Sequence, residues 1–266
     1  MPQGGTLEAI TAVVGLHVTW AYMLQAPLDR LEGKAVAVCH LLTGFGVPLF
    51  LILSGTGLAL RYSQAMKWRD YRGFLYRRAL RLLPAYVTWS LVVAAHADPA
   101  LLWPPSRLVS LLLTGSAGPQ FYFIPLLCQF YILWPLLRPL AVAAAASCRQ
   151  AVAITAAATA LSLAWWEASA AGLIVANTLT LPGFWLLYMV AGLALAPHLA
   201  GLGRARARHF ALVGTLATVA AAIMFSGFFG MIAPPYPVFQ LMLASVIFRP
   251  ASMAYTFAAI SLALLL

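Results

Sequence analysis

The sequence predicts an all-α membrane protein, a polytopic bundle of about eight or nine transmembrane helices with a cytoplasmic N-terminus. Hydrophobic residues make up 63% of the 266 residues and charged residues only 8%, which are too few charges to cover a water-soluble domain of this size. Apolar runs long enough to cross about 30 Å of hydrocarbon recur to the last residue. The cations are concentrated in alternate connections between these runs.

Breaks at proline, glycine and charged residues divide the chain into ten predicted helices. They cover residues 7–26, 37–61, 84–97, 106–117, 121–145, 150–167, 180–199, 209–230, 236–248 and 251–266. The pieces at 84–97 and 106–117 are short, so we expect one full span and one shallow or re-entrant piece. No cation precedes the first run, which is also too long for a signal peptide, so we expect it to remain in the mature protein. Residues 1–266 then form a single membrane domain, which we expect to be incomplete at its C-terminus.

The distribution of Lys and Arg predicts the orientation of the bundle. Thirteen of the sixteen cations lie in alternate connections, seven of them between residues 61 and 81, and three lie on the opposite side. The positive-inside rule therefore places the N-terminus in the cytoplasm of a cell with an inner or plasma membrane. The cations follow this topology and form no basic stripe interleaved with aromatic residues, so we expect no nucleic-acid partner.

A single histidine interrupts the first apolar run, "TAVVGLHVTWAYM". His17 lies ten residues into its predicted helix, about 15 Å deep and near the bilayer midplane. A lipid-facing imidazole would be costly there, so His17 should face the bundle interior or a water-filled cavity. It is either a functional group or a hydrogen-bond partner between helices.

Two adjacent stretches could hold an anionic ligand. "VPLFLILSGTGLALRY" places Ser54 and Gly55 on a small-residue surface that suits either helix packing or close approach by a thin ligand. In "RGFLYRRALRLLPAY", Arg77, Arg78 and Arg81 form one cationic face if the segment is helical. Such a face suits bidentate contacts with phosphate oxygens, although a topology signal that meets anionic lipid headgroups also explains it.

The stretch "GPQFYFIPLLCQFYILWPLL" begins at the predicted outer surface. Tyr122 belongs to an aromatic cluster typical of a membrane interface, whereas Gln129 and Tyr131 lie inside the span. These three residues are candidates for a substrate channel, with bundle packing as the alternative. The other histidines are interpreted as membrane-edge or loop residues without metal-ligand spacing, so no metal site is expected. They are His40, His96, His198 and His209.

Five features follow one another along the chain: a helix with a mid-membrane histidine, "PLFLILSG", "FLYRRALRLLPAY", "FYFIPLLCQFYILWPLL" and "FWLLYMVAGLALA". In this order they resemble the acyltransferase 3 family of integral membrane proteins. The resemblance implies transfer of an acyl group, such as acetyl or succinyl, from a cytoplasmic coenzyme A thioester to a hydroxyl of a sugar, glycan or lipid-linked acceptor. His17 matches the histidine of the family's R-X10-H motif, and Arg78 and Arg81 match its R-X-X-R element. Thr6 stands where that first motif has arginine. The chain is therefore either a fragment or a divergent member.

The chemistry agrees with this resemblance. An alcohol becomes nucleophilic when a base takes its proton, and histidine is suited to that role near neutral pH. We expect His17 to be the catalytic base and Arg77, Arg78 and Arg81 to hold the coenzyme A phosphates, with Ser54 and Gly55 along the donor's path. Acyl-CoA is then a substrate and no bound cofactor is expected; the partners are the donor, a carbohydrate or lipid-linked acceptor and membrane lipids.

Two alternatives remain from the sequence. One is a small permease or flippase in which His17 couples transport to proton movement, which is disfavoured because no carboxylate is clearly buried. The other is a catalytically inactive family member.

Overall fold

The computed structural model describes residues 11–19, 31–62, 64, 66–118, 120–173, 180–198, 219 and 253–259. The chain forms two compact units. The first unit comprises Met1–Leu53 and His198–Leu266, and the second comprises Ser54–Pro197. The described elements are all helical and no strand occurs among them, which confirms the predicted all-α class.

The helices are numbered in chain order. They are α1 (11–19), α2 (Leu31–Thr43), α3 (Gly46–Tyr62), α4 (Trp68–Ala97), α5 (Pro105–Thr114), α6 (Phe123–Ile132), α7 (Trp134–Ala146), α8 (Cys148–Ala170), α9 (Pro182–Leu195) and α10 (253–259). Short 3-10 turns, Pro99–Leu102 and Ala196–His198, follow α4 and α9.

Among the described residues, two helices are long and apolar enough to cross a membrane. They are α4 and the Cys148–Ser169 part of α8. The pair α6 and α7 makes a third if its two halves, which are bent by 72°, form one broken span. The helix predicted at 236–248 lies outside the described residues, as does the helix predicted at 209–230 apart from residue 219.

Helix α4 is longer than the sequence analysis predicts. It begins at Trp68 instead of residue 84 and runs for 30 residues through the basic stretch, with Pro84 inside it. The arginines make the first half of this helix more polar than the second, but they do not end the helix, because arginine is a good helix former. Consequently Arg77, Arg78 and Arg81 lie on a continuous helix, where their positions are fixed by its rotation.

Two predicted helices are interrupted, and glycine or proline occurs at each interruption. The predicted helix 37–61 is two helices separated by a turn at residues 44–45, with Gly44 in the turn and Pro48 in the first turn of α3. The predicted helix 121–145 breaks at Leu133, immediately before Trp134 and Pro135. Proline has no N–H to donate to the preceding turn, so the regular ladder of helix hydrogen bonds cannot continue through that point.

Helix α9 forms the core of the second unit. Every residue from Phe184 to Ala194 except Leu186 is buried, and α7 and α8 pack against the helix. Alanines provide part of this contact: Ala144 of α7, Ala151 of α8 and Ala194 of α9 form one buried cluster. Small side chains allow helix backbones to approach closely, which is the usual mode of packing between membrane helices.

Helix α5 folds back against α4. The Tyr86 hydroxyl donates to the Leu112 carbonyl oxygen at 2.6 Å, and Leu111 and Phe121 belong to the same buried cluster as Tyr86. Helix α5 ends at Gly115, whose φ of 65° is the left-handed conformation that glycine adopts readily. With ten residues, or about 15 Å, α5 is too short to cross a bilayer.

In the first unit, α1 packs closely against α2 and the start of α3. A Cβ added to Gly15 would lie 3.0 Å from Thr43 Cγ2, and one added to Gly46 would lie 2.9 Å from Val13 Cγ2. The Tyr255 hydroxyl of α10 donates to the Leu42 carbonyl oxygen at 2.8 Å. Glycine at positions 15 and 46 therefore permits the close approach that places α2 beside α1.

Candidate functional site

A cationic and aromatic cluster joins α4 to α6 in the second unit. The Arg78 guanidinium carbon lies 5.0 Å from the centre of the Tyr131 ring and 5.6 Å from that of Phe74. The two rings meet edge to face with centres 5.6 Å apart. A guanidinium at this distance from an aromatic face gains a cation–π attraction and keeps its N–H groups available for hydrogen bonds. The two rings thus hold Arg78 without using its donors.

The helix break after α6 helps to fix this cluster. At the break the Leu136 N–H donates to the Leu133 carbonyl oxygen at 2.9 Å. In a regular α-helix it would donate to the Ile132 carbonyl oxygen instead. The Tyr71 hydroxyl of α4 donates instead to the Ile132 carbonyl oxygen at 2.7 Å. This bond satisfies a helix-terminal carbonyl and ties α4 to α6 beside Tyr131.

Four of the residues predicted to contact substrate are brought together here. The Tyr131 hydroxyl interacts with the Ser54 side chain and with the charges of Arg78 and Arg81. Ser54 belongs to α3, the arginines to α4 and Tyr131 to α6, so three helices contribute. We call Ser54, Phe74, Arg78, Arg81 and Tyr131 the arginine–tyrosine cluster.

The charges of this cluster are not neutralised by nearby carboxylates. In the described ranges, neither Arg78 nor Arg81 forms an ion pair. The carboxylates there are the exposed groups of Glu32, Asp70, Asp98 and Glu167. Two arginines without counter-ions, one of them resting on aromatic rings, form a site suited to an external anion such as a phosphate.

Arg77 and Gly55 differ from the other residues predicted to bind acyl-CoA. Arg77 is exposed, as Arg81 is, but its Nη1 atom lies near Gly73 of its own helix, 3.2 Å from where a Cβ would be. Gly55 faces α9, where an added Cβ would collide with the Met189 carbonyl oxygen and lie 3.1 Å from Leu193 N. Thr56 next to it donates to the Gly192 carbonyl oxygen at 3.0 Å. Helix packing therefore accounts for the glycine of "LSG".

Tyr122 and Gln129 have protein partners on other segments. Tyr122 is buried and its ring stacks on Trp185 of α9, with centres 5.8 Å apart. The Gln129 amide donates to the Thr180 carbonyl oxygen at 2.7 Å and to that of Pro125 at 3.3 Å. These contacts brace α6 against the segment that leads into α9. Of the three predicted channel residues, only Tyr131 belongs to the arginine–tyrosine cluster.

His17 lies in α1 and is half-buried within the first unit. Thr6, which replaces the arginine of the R-X10-H motif, lies outside the described residues. The adjacent turn of α1 contacts a histidine that the sequence analysis interprets as a membrane-edge residue. This histidine is His40, which is buried against α1.

The Nδ1 atom of His40 lies 3.1 Å from both the Leu16 carbonyl oxygen and the Thr19 hydroxyl oxygen. His40 is also close enough to His17 for the two imidazoles to interact electrostatically. A sequence signal for this contact exists: His40, Thr43 and Gly46 recur every three residues on the side of the chain that packs on α1. Among the residues that the structure describes, no group of three His, Cys, Asp or Glu side chains is arranged to hold a metal ion.

Comparison with protein families decides the class of protein. The chain matches the family model of acyltransferase 3, described as an acyltransferase domain, over residues 9–266. The chain belongs to the acyltransferase 3 family. This match covers nearly the whole chain and confirms the resemblance carried by the five motifs. Comparison with curated proteins and with solved structures found no match.

Membership in the acyltransferase 3 family makes this chain a membrane-integral protein of an acyltransferase class. The arginine–tyrosine cluster and His17 lie in different units. The cluster contains guanidinium groups, a chemistry suited to anions, and His17 has an imidazole, a chemistry suited to proton transfer near neutral pH.

Proposed function

We propose that this acyltransferase 3 protein transfers an acyl group, acetyl- or succinyl-like, from a coenzyme A thioester to a hydroxyl of a sugar, glycan or lipid-linked acceptor. The observation that carries the proposal is the pair Arg78 and Arg81, for which the described residues supply no ion-pair partner. Coenzyme A carries a diphosphate and a 3′-phosphate, and planar guanidinium groups bind such oxygens in bidentate fashion. An anionic donor thus matches the charge that the second unit leaves unpaired.

Two residues of the cluster fit specific parts of this donor. Arg78, held by Phe74 and Tyr131, keeps its N–H donors for phosphate oxygens. Ser54 offers a small hydroxyl beside Tyr131, where the narrow pantetheine arm could pass. Arg77 makes a weaker contribution because the arginine charges that act on Tyr131 are those of Arg78 and Arg81. Gly55 supports the path by setting the spacing between α3 and α9.

His17 is the proposed general base. It takes the proton of the acceptor hydroxyl as the oxygen attacks the thioester carbonyl, and a tetrahedral intermediate forms. The intermediate then collapses, the C–S bond breaks, and the imidazolium returns the proton to the departing thiolate of coenzyme A. The products are the O-acylated acceptor and free coenzyme A, and His17 ends as it began.

The proposed topology follows from the distribution of charge. We place the N-terminus and the connections rich in Lys and Arg in the cytoplasm of an inner or plasma membrane, with eight or nine crossings in total. The basic first half of α4 then meets cytoplasmic acyl-CoA and anionic lipid headgroups on the same side.

The test is acyl transfer by the full chain in membranes that contain an envelope glycan acceptor. Membranes receive acetyl-CoA or succinyl-CoA labelled in the acyl group, and two products are followed: labelled glycan and free coenzyme A thiol. We expect the wild-type protein to form both in equal amounts. His17→Ala should lower kcat at least 100-fold, since general acid–base catalysis contributes about 10²–10⁴-fold.

The KM for acyl-CoA distinguishes the two parts of the proposal. His17→Ala should leave donor binding unchanged, because His17 acts on the acceptor hydroxyl. Wild-type membranes that form no labelled acceptor with either donor would contradict the proposed reaction. Full activity in the His17→Ala protein would contradict only the assignment of the base.

A further inference from the structure

A second histidine, His40, bridges α2 to the turn of α1 that carries His17. Its imidazole is buried, with 8% of the residue exposed. Residues Leu16 and Thr19, which it contacts, flank His17 in the sequence and lie within one helical turn of it. A buried polar side chain at this position is costly unless its hydrogen bonds are met.

The contacts determine which nitrogen of His40 carries the proton. The Leu16 carbonyl oxygen accepts hydrogen bonds and cannot donate, so the Nδ1 atom at 3.1 Å must carry a hydrogen. The Thr19 hydroxyl donates to the Gly15 carbonyl oxygen at 2.7 Å, which leaves its oxygen as an acceptor for the same Nδ1–H. His40 is therefore the Nδ1–H tautomer, shared between two acceptors on α1.

This arrangement constrains the rotation of α1. The shared hydrogen bond holds the backbone at Leu16 and the side chain at Thr19 against α2. One turn further along α2, Thr43 packs its methyl group beside Gly15, while its hydroxyl donates to the Cys39 and His40 carbonyl oxygens of its own helix. His17 lies within the turn of α1 that these contacts hold, and its imidazole is close enough to that of His40 for their charges to interact.

The geometry points to His40 as a positioning residue for His17: by holding the Leu16–Thr19 turn, it fixes the direction in which the His17 imidazole points. This inference rests on the proposed function, in which His17 is the base. Loss of the His40 contact should lower kcat, because a base displaced by about 1 Å can lose up to 100-fold in rate while donor binding is unaffected.

A matched pair of amide substitutions tests this role. In His40→Asn the amide nitrogen occupies the place of Nδ1, and in His40→Gln it occupies the place of Nε2. We expect His40→Asn to keep kcat within about threefold of wild type and His40→Gln to lower it at least about tenfold. KM for acetyl-CoA should stay unchanged in both. Thr43→Val is the control, since it keeps the methyl beside Gly15 and removes a hydroxyl that serves only α2.

Equal and near-wild-type kcat values in the Asn and Gln variants would overturn the inference. Equal losses in both would overturn it as well, because the ring itself would then be required for acid–base chemistry. A KM for acetyl-CoA that increases as kcat falls would also overturn the inference. Thr19→Val removes one of the two acceptors with little change of shape, and we expect it to lower kcat about threefold.

A measurement without substrate separates this inference from the proposed function. Nitrogen-15 NMR of histidine-labelled protein in detergent should show His40 as the Nδ1–H tautomer. The His17 ring signals should shift in His40→Gln and remain in place in His40→Asn. If wild-type protein transfers no acyl group and these signals behave as expected, the proposed function fails and the positioning contact stands. If transfer occurs and the His17 signals ignore both substitutions, the positioning role fails.

Discussion

The second unit contains two regions with residues that the sequence predicts to bind acyl-CoA: the arginine–tyrosine cluster and the contact of α3 with α9. The two regions use their polar groups differently. At the α3–α9 contact, Thr56 donates to the Gly192 carbonyl oxygen and Gly55 is packed against backbone. In the arginine–tyrosine cluster, Arg78 rests on the faces of two aromatic rings, which leaves its N–H groups available to a ligand.

This difference shows how a ligand site can be told from a packing contact. Small residues on a helix are equally suited to a neighbouring helix and to a thin ligand, so the pattern alone does not distinguish them. Guanidinium groups without an ion pair among the described residues are different, because their charge and N–H donors remain available to water or to an anion. Binding and stability should therefore respond to different substitutions in the two regions.

The largest expected effect comes from the paired arginines. Arg78→Ala combined with Arg81→Ala should raise KM for acyl-CoA about 100-fold, because each charge-assisted hydrogen bond contributes about 1.5 kcal/mol. Initial rates of coenzyme A release at varied donor concentration measure this change. Arg69→Ala with Arg72→Ala is the matched control: these exposed arginines have the same spacing on α4 and carry the same charge. Equal increases in KM for the two pairs would show that positive charge on α4 in general, and not the cluster, attracts the donor.

The second effect is on stability at the α3–α9 contact. Gly55→Ala should lower the free energy of unfolding by about 2 kcal/mol, because the new methyl group has no space beside the Met189 carbonyl oxygen. Thermal unfolding in detergent, followed by tryptophan fluorescence, measures the loss. Gly73→Ala serves as control, since its Cβ would meet only the flexible end of Arg77 and alanine favours a helix. A Gly55→Ala protein of unchanged stability but raised donor KM would show that Gly55 lines the donor's path.

The smallest effect separates the ring of Tyr131 from its hydroxyl. Tyr131→Phe keeps the face on which Arg78 rests and should change KM for acyl-CoA less than about twofold. Tyr131→Leu removes that face and should raise KM about fivefold, since a partly buried cation–π contact contributes about 1 kcal/mol. If Tyr131→Phe has the larger effect, the hydroxyl beside Ser54 contacts the donor directly and the ring is secondary.

Local sequence predicted which residues could form a site, and the structure shows which of them lie together. The spacing of Arg78 and Arg81 placed them together because three residues make nearly one helical turn, and both lie near Tyr131. Arg77 is next to Arg78 in sequence, yet the rotation of about 100° per residue directs it elsewhere. Helix α4 begins 16 residues before the predicted start at residue 84, because a run of arginines does not end a helix.

The sequence by itself determined the helical membrane class, the acyltransferase 3 family and the candidacy of His17, because composition, ordered motifs and residue chemistry are properties of the chain. Only the tertiary structure decided that Ser54, Arg78 and Tyr131 from three helices share one cluster, and that His40 is bonded to the turn beside His17. The reason is physical. A sequence pattern fixes which face of a helix a residue occupies, whereas the partner of that face depends on close approaches between distant segments, such as those at Gly15, Gly46 and Gly55.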